Sequence, residues 1–127
     1  MAFTTAGKNL MLDEFGSVAV LVELMGDEVG GAGPAVAVPD HAAAAQQLAI
    51  TFDSAAGGEV DLDAGVHPAG IEFEVPGGWT VTAVRYLEAL GVTEYSRDVL
   101  AVGDQETFAN DGYYTVNEAL HFISDPV

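Results

Sequence analysis

Acidic side chains are the abundant reactive groups of this sequence, and two pairs of them have the spacing of neighbours on one strand face. Asp61 and Asp63 form one pair, and Glu72 and Glu74 form the other. With loop carbonyls, Asp61 and Asp63 could supply the oxygen ligands that Ca²⁺ and Mg²⁺ prefer, although their spacing matches no EF-hand loop. Two carboxylates beside a cleft could also hydrolyse a glycoside, but among 20 acidic residues such pairs arise by chance. We therefore predict Asp61 and Asp63 as candidate ligands of Ca²⁺ or Mg²⁺ and expect no other cofactor.

Groups that would support other catalytic chemistry are scattered or missing in the sequence. It contains no cysteine, which excludes thiolate zinc sites, disulfides and cysteine nucleophiles. The spacing of its histidines matches no metal site, and we interpret them as surface residues or as hydrogen-bonded residues: His41, His67 and His121. No serine lies in a G-x-S-x-G motif, and the glycines of residues 26–33 lack the following Lys and Ser/Thr of a phosphate-binding loop. The sequence therefore predicts that the protein is not an enzyme.

Four aromatic residues could form a platform on which a sugar ring stacks: Trp79, Tyr86, Tyr113 and Tyr114. Such residues are more often core or edge aromatics of a sheet, and we favour that interpretation. An adhesion module that binds carbohydrate or calcium stays open as an alternative function. Its candidate residues would be Asp61, Asp63, Trp79 and Tyr113.

The charge of the chain excludes several classes of partner. Lys8, Arg85 and Arg97 are its three basic residues, and against 20 acidic residues they leave a formal net charge of −17. Nucleic acids and anionic membranes are not expected as partners, because both are bound through basic surfaces. A domain with this charge repels itself in dilute salt, whereas at molar salt the screening length falls to about 3 Å. The composition resembles that of haloarchaeal proteins and their viruses, with an acidic protein paired to a basic partner as the alternative.

The elements that would position these residues are mostly strands. Apolar residues at helical spacing, an N-terminal threonine cap and Gly16 predict one short helix over about residues 4–15. Residues 26–39 are predicted to form a loop. In residues 79–87 the apolar side chains fall on both faces, which indicates a central or bulged strand. The other segments with strand patterning are residues 17–25, 47–52, 59–62, 71–75, 99–102, 106–108 and 113–123. This pattern predicts an all-β fold, a jelly-roll-like β-sandwich with one short N-terminal α-helix, as a single domain over residues 1–127.

Four stretches of the chain carry a further pattern. They are the Ala-Gly-Lys-Asn opening of Met1–Asp13, the strand and Ala/Gly-rich turn of Gln47–Gly58, the Phe-x-Val-Pro-x-Gly segment of Phe73–Tyr86 and the Phe-x-x-x-Gly-x-Tyr hairpin of Thr107–Val116. In this order they resemble a family of small virion structural proteins of tailed viruses, which are described as head decoration, minor capsid or tail-fibre-like proteins. Two loops, residues 25–30 and 88–95, depart from the family pattern.

The resemblance implies a non-enzymatic component of a virus particle. We expect a capsid-surface decoration or turret subunit that forms a symmetric homo-oligomer and contacts other virion structural proteins, such as the major capsid protein. A position on the tail, as a fibre or baseplate component, is the near alternative. The expected location is therefore the virion, on the capsid surface or on the tail.

Overall fold

A computed structural model describes residues 4–28 and 35–122 of the chain. It contains one helix, α1, ten strands and a short 3₁₀ turn at Val102–Asp104. The elements are α1 Thr5–Ser17, β1 Val20–Glu28, β2 Val36–Ala37, β3 Leu48–Ile50, β4 Glu59–Val60, β5 Ile71–Val75, β6 Trp79–Glu88, β7 Glu94–Val99, β8 Glu106–Phe108, β9 Gly112–Val116 and β10 His121–Phe122. The strands form antiparallel sheets, which confirms the predicted all-β fold with one N-terminal helix.

The described residues divide into two compact units, each built from separate stretches of chain. The first unit comprises residues 4–19, 50–71 and 116–122, and the second comprises residues 20–28, 35–49 and 72–115. The prediction of one β-sandwich domain over residues 1–127 stays a prediction.

In the first unit, polar side chains of α1 hold the loop before β4. Thr4 caps the helix, since its Oγ1 accepts a hydrogen bond of 3.0 Å from the backbone N–H three residues on. Further along, Asn9 Oδ1 accepts from Gly58 N at 2.8 Å and Asp13 Oδ1 accepts from Ala55 N at 2.7 Å. The helix therefore fixes the loop at two points.

The apolar part of the first unit is small. Leu12 is the buried residue of α1, and the ring of Phe15 lies 5.2 Å from that of Phe52. The imidazole of His121 packs edge-on against Phe52, with ring centroids 5.4 Å apart. The pairing of β4 with β10 places His121 opposite the buried Val60.

In the second unit, β1 and β6 form the long central pair of a six-stranded sheet, and β7 and β8 lie end to end along the other edge of β6. The register between β1 and β6 shifts because Met25 pairs with Ala83 whereas Gly26 pairs with Val81, which leaves Thr82 as the extra residue of a bulge. The bulge brings Val81 onto the same face as Val84. The prediction that this strand is central or bulged is confirmed, and both descriptions apply.

The loop after β1 differs from the sequence-based prediction. The predicted loop of residues 26–39 begins too early, because β1 continues to Glu28 and β2 pairs with it; residues 29–34 of that loop lie outside the described residues. Gly26 is a strand residue, and it must be glycine because a Cβ there would overlap the carbonyl oxygen of Thr80.

The strand predicted over residues 99–102 is wrong. The strand is β7, and residues 102–104 form the 3₁₀ turn. Both side-chain faces of β7 are largely exposed at the sheet edge, so its sequence shows no alternation of polar and apolar residues. The closing strand predicted over residues 113–123 is divided into β9 and β10, and residue 123 lies outside the described residues.

Candidate functional site

The predicted metal ligands Asp61 and Asp63 lie in the first unit, where both hold the backbone. Asp61 Oδ1 accepts hydrogen bonds from Leu62 N at 2.6 Å and from Ala119 N at 2.7 Å. Asp63 Oδ1 accepts one from Gly65 N at 2.8 Å. These bonds tie residue 61 to the segment before β10 and close the turn after residue 63. Each carboxylate therefore has a structural partner.

An open, acidic pocket of about 210 Å³ lies beside Asp61. Asp53 and Glu59 contribute its other carboxylates, with Val60 and Leu120 among the apolar lining. Among the described residues, no group of three or more acidic or histidine side chains is arranged to hold a metal ion. The role of Asp61 and Asp63 as ligands of Ca²⁺ or Mg²⁺ stays a prediction.

The four aromatic residues considered for sugar stacking have different environments in the second unit. Trp79 and Tyr86 are buried core residues of β6, with 9% and 3% of their surface exposed. Tyr114 is half-buried in β9, whereas Tyr113 is exposed. Burial raises the pKa of Tyr114 above its ordinary value of 10.0, and the neighbouring carboxylates of Glu106, Asp98 and Asp104 raise it further. The interpretation as core and edge aromatics is confirmed for Trp79 and Tyr86.

His41 joins the turn that follows β2 to strands β5 and β9. Its backbone N–H donates to Glu74 Oε1 at 3.0 Å, and its Nδ1 lies 3.3 Å from the same oxygen. The Nε2 atom is 2.9 Å from the carbonyl oxygen of Gly112, and the ring packs edge-on against Tyr113 at 5.4 Å. Both ring nitrogens thus serve to fix this turn.

The other two histidines also contact the backbone. In the first unit, His67 Nε2 accepts a hydrogen bond from Thr51 N at 3.0 Å, and His121 Nδ1 lies 2.7 Å from the carbonyl oxygen of Ala119. A ring nitrogen of each of the three histidines therefore contacts a backbone group.

An ionic ladder of four side chains crosses strands β1, β6 and β7. Its members are Glu23, Arg85, Glu94 and Arg97. Arg85 donates to the buried Glu23 Oε1 through both Nε, at 2.7 Å, and Nη2. Glu94 Oε1 lies 3.7 Å from Arg85 Nη1 and accepts from Arg97 Nη2 at 2.8 Å.

The ladder needs the bulge in β7. Ser96 pairs with Tyr86 and Glu94 pairs with Leu87, so residue 95 is the extra residue, and Glu94 comes onto the same face as Arg97. This ladder was not predicted from the sequence. One signal was present in the sequence. Glu23 is the single charged residue in one run of mostly apolar residues, and Arg85 is the single charged residue in another. A charge inside a buried strand requires an opposite charge nearby.

The hairpin and strand of residues 90–102, called the 90–102 segment from here on, expose large apolar side chains. They are Leu90, Val92, Tyr95, Val99 and Val102. Exposed fractions of 83% for Leu90, 80% for Val92 and 86% for Val102 are the highest among large apolar side chains in the described part of the chain. Where exposed apolar side chains lie close together on a surface, they mark protein–protein contacts more often than chemistry.

Backbone hydrogen bonds hold the 90–102 segment in a fixed shape. Glu88 N donates to the carbonyl oxygen of Thr93 at 2.9 Å, and Gly91 N donates to that of Glu88 at 2.8 Å. Gly91 has a φ of +72°, which favours glycine, and the side chain of Gln47 packs directly against it. The apolar side chains are therefore presented from a closed turn.

Comparison with known proteins found no relative of this chain. No family model matches it, and neither a curated protein nor a solved structure does.

Helix α1 has 13 residues, and no helix among residues 4–28 and 35–122 is long and apolar enough to cross a membrane. Any function must therefore be argued from the residues themselves.

Proposed function

We propose that the protein is a non-enzymatic structural subunit of a tailed-virus particle, a capsid-surface decoration or turret component that assembles with its own copies. One observation carries this proposal: a hydrogen-bonded segment of a strongly acidic chain, residues 90–102, contains five exposed large apolar side chains, among them the three most exposed in the described part of the chain. Apolar side chains held in this way are typical of a surface that another protein covers.

The polar groups that were considered for chemistry support a scaffold role. His41, His67, Asp61 and Asp63 each contact the backbone and fix a turn or a strand end. A side chain engaged in this way stabilises its surroundings and is less available to bind or transform a substrate. The resemblance of four stretches to virion proteins of tailed viruses supports the same role.

The net charge of −17 sets the conditions of assembly. Two copies repel each other at low ionic strength, and the repulsion between exposed charges is largely screened at molar salt, where the Debye length is about 3 Å. Assembly of this subunit is therefore expected at the salt concentrations of a haloarchaeal host. A tail fibre or baseplate position would use the same surface and the same salt dependence.

Quantitative mass spectrometry of purified virus particles that encode this sequence tests the proposal. A capsid-surface subunit is expected in hundreds of copies per particle, on the order of the major capsid protein, because shells repeat their components by symmetry. A handful of copies would place it on the tail. The absence of the protein from particles would contradict a structural role of either kind.

One observation favours a second candidate, the adhesion module. Tyr113 is 58% exposed, which leaves part of an aromatic side chain open to a sugar ring. In that case Tyr113→Ala would abolish binding to host glycans on an array while the fold stays intact. Unchanged binding, or no binding by the unsubstituted protein, removes this candidate.

A further inference from the structure

The chain between β2 and β3 contacts the backbone of strand β5 in the second unit. Gln46 holds Glu74 at two points, because Gln46 Oε1 accepts a hydrogen bond from Glu74 N at 2.8 Å and Gln46 Nε2 donates to the carbonyl oxygen of Glu74 at 2.9 Å. The side-chain amide of Gln46 therefore occupies both backbone groups of Glu74 in the way that a paired strand would. Residues 40–46 are called the 40–46 strap from here on.

The turn at the start of the 40–46 strap is held in a strained conformation. Asp40 Oδ1 accepts hydrogen bonds from Ala42 N at 2.8 Å and from Ala44 N at 2.9 Å. Between these two residues, Ala43 has a φ of +65°, a left-handed conformation that costs free energy in any residue with a side chain. The closed strap therefore depends on its hydrogen bonds and on its contacts with β5 and β9.

His41 makes the contacts of the strap that depend on protonation. The carbonyl oxygen of Gly112, 2.9 Å from Nε2, can only accept a hydrogen bond, so Nε2 carries a proton. The other ring nitrogen, Nδ1, lies 3.3 Å from Glu74 Oε1. In a neutral ring the lone pair of Nδ1 faces this carboxylate, whereas a second proton makes the contact an ion pair. The doubly protonated ring is therefore the form that fits the closed strap best.

His67 in the first unit has the opposite arrangement. Its Nε2 accepts a hydrogen bond from Thr51 N at 3.0 Å, and a ring nitrogen that accepts a hydrogen bond carries no proton. Protonation of that nitrogen would break the bond. Of these two histidines, His41 is therefore the one whose contacts gain from a positive charge.

We propose that His41 is a pH-sensitive latch that closes the 40–46 strap on strands β5 and β9. Histidine is the side chain that ordinarily changes charge between about pH 5 and 8. At the acidic end of this range the ion pair with Glu74 holds the strap closed. At the alkaline end the ring has lost its second proton, and the strap opens more often. The inference does not depend on the proposed function, because it concerns contacts within one chain.

The charges around the ring are consistent with a latch of modest strength. Glu74 is the acid of β5 that meets the ring, and Tyr113 of β9 packs edge-on against it without a charge at neutral pH. On the strap itself, backbone N–H groups engage the carboxylate of Asp40. The side chains of His41 and Glu74 are 25% and 42% exposed, so water and salt weaken their ion pair.

Hydrogen exchange of the Glu74 backbone N–H, followed by NMR, measures the opening of the strap. This amide is informative because its acceptor is the side chain of Gln46. Protection is measured relative to the exchange rate of an unfolded chain at the same pH, at a KCl concentration that keeps the protein folded. It should be about two- to fivefold greater at about pH 5.5 than at about pH 8, the range expected for an exposed ion pair.

Three substitutions identify the source of this difference. His41→Gln should abolish it, because the glutamine amide can donate to the carbonyl oxygen of Gly112 but cannot take up a proton. Glu74→Gln should also abolish it, since it removes the negative charge and keeps an oxygen that accepts from the backbone N–H of His41. The matched control is His67→Gln in the first unit, which should leave the difference unchanged.

A reference amide separates the strap from the rest of the second unit. Gly78 N donates to the carbonyl oxygen of Phe108 at 2.7 Å, and its protection should change with pH equally in the unsubstituted chain and in His41→Gln. Equal protection of the Glu74 N–H at the two pH values would overturn the proposal, as would a difference that persists in His41→Gln. Greater protection at the higher pH would overturn it too. Circular dichroism confirms folding, and if His41→Gln does not fold, Glu74→Gln decides.

Discussion

In the first unit, hydrogen bonds from polar side chains supplement short paired strands, whereas in the second unit long paired strands and a buried ionic ladder hold the sheet. In the first unit, Asn9, Asp13 and Asp61 each reach a backbone N–H more than 40 residues away. In the second unit, nine residues of β1 pair with β6, and Arg85 closes the pair on Glu23. The first unit should therefore respond to the loss of single hydrogen bonds, and the second to the loss of a buried charge partner.

The largest effect is expected for Arg85→Met in the second unit. The side chain of Glu23 is 2% exposed, so removing Arg85 leaves a carboxylate buried without its cation. We expect the free energy of unfolding to fall by about 3–5 kcal/mol, measured by denaturant titration in molar KCl.

Two further variants sharpen this result. Arg97→Met removes the outer cation of the ladder, whose side chain is 34% exposed, and should cost about 1 kcal/mol or less. Glu23→Met combined with Arg85→Met removes both members of the buried pair and should recover most of the loss. A cost for Arg97→Met as large as that for Arg85→Met would show that burial of Glu23 is not the cause.

A smaller effect is expected for Asp61→Ala in the first unit. The substitution removes an acceptor that holds Leu62 N and Ala119 N, and hydrogen bonds to charged groups contribute about 1.5–3 kcal/mol. The matched control is Asp53→Ala in the same pocket, because no hydrogen bond of the Asp53 side chain is present among the described residues. It should change the free energy of unfolding by less than about 0.5 kcal/mol. Equal effects of the two variants would contradict the structural role of Asp61.

The smallest effect concerns Tyr114 in the second unit and needs alkaline pH. The pKa of Tyr114 is raised by burial and then by Glu106, Asp98 and Asp104, so the folded state retains the phenolic proton more strongly than the unfolded state. Its contribution to stability is complete below pH 10.0 and is lost as the pH rises through the folded pKa.

Ultraviolet titration of phenolate absorbance checks this prediction. Tyr114 should ionise above the ordinary range, and Tyr114→Phe should reduce the number of tyrosines that ionise there by one. Glu106→Gln should reduce the elevation without abolishing it, because burial is the larger cause. A titration of Tyr114→Phe identical to that of the unsubstituted chain would assign the late step to another tyrosine.

The features of the fold that could be predicted from the sequence are the buried strands. Strand β5 was predicted from alternation, and the structure confirms it with Ile71, Phe73 and Val75 buried. The mixed apolar pattern of residues 79–87 correctly indicated the bulged central strand β6. Both predictions depend on burial, which leaves a pattern of apolar residues in the sequence.

Features that depend on pairing between distant residues leave no such signal. Nothing near Asp61 indicates that its carboxylate will meet Ala119 N, which is 58 residues away, so the residue was predicted only as a metal ligand. Strand β7 was missed because both its faces are exposed, and the contact of Glu94 with Arg97 requires a bulge that only the tertiary structure reveals. The exposed apolar residues of the 90–102 segment suggested a strand at 99–102 because exposure cannot be read from residue type.

Sedimentation velocity of the purified chain across a KCl series, with circular dichroism on the same samples, tests the central claim most directly. If the protein is a structural subunit that associates with its own copies under the screening of molar salt, it will be a folded oligomer in molar KCl. It will then dissociate, and its circular dichroism will show loss of structure, as salt is removed. A folded monomer at every salt concentration would contradict the account.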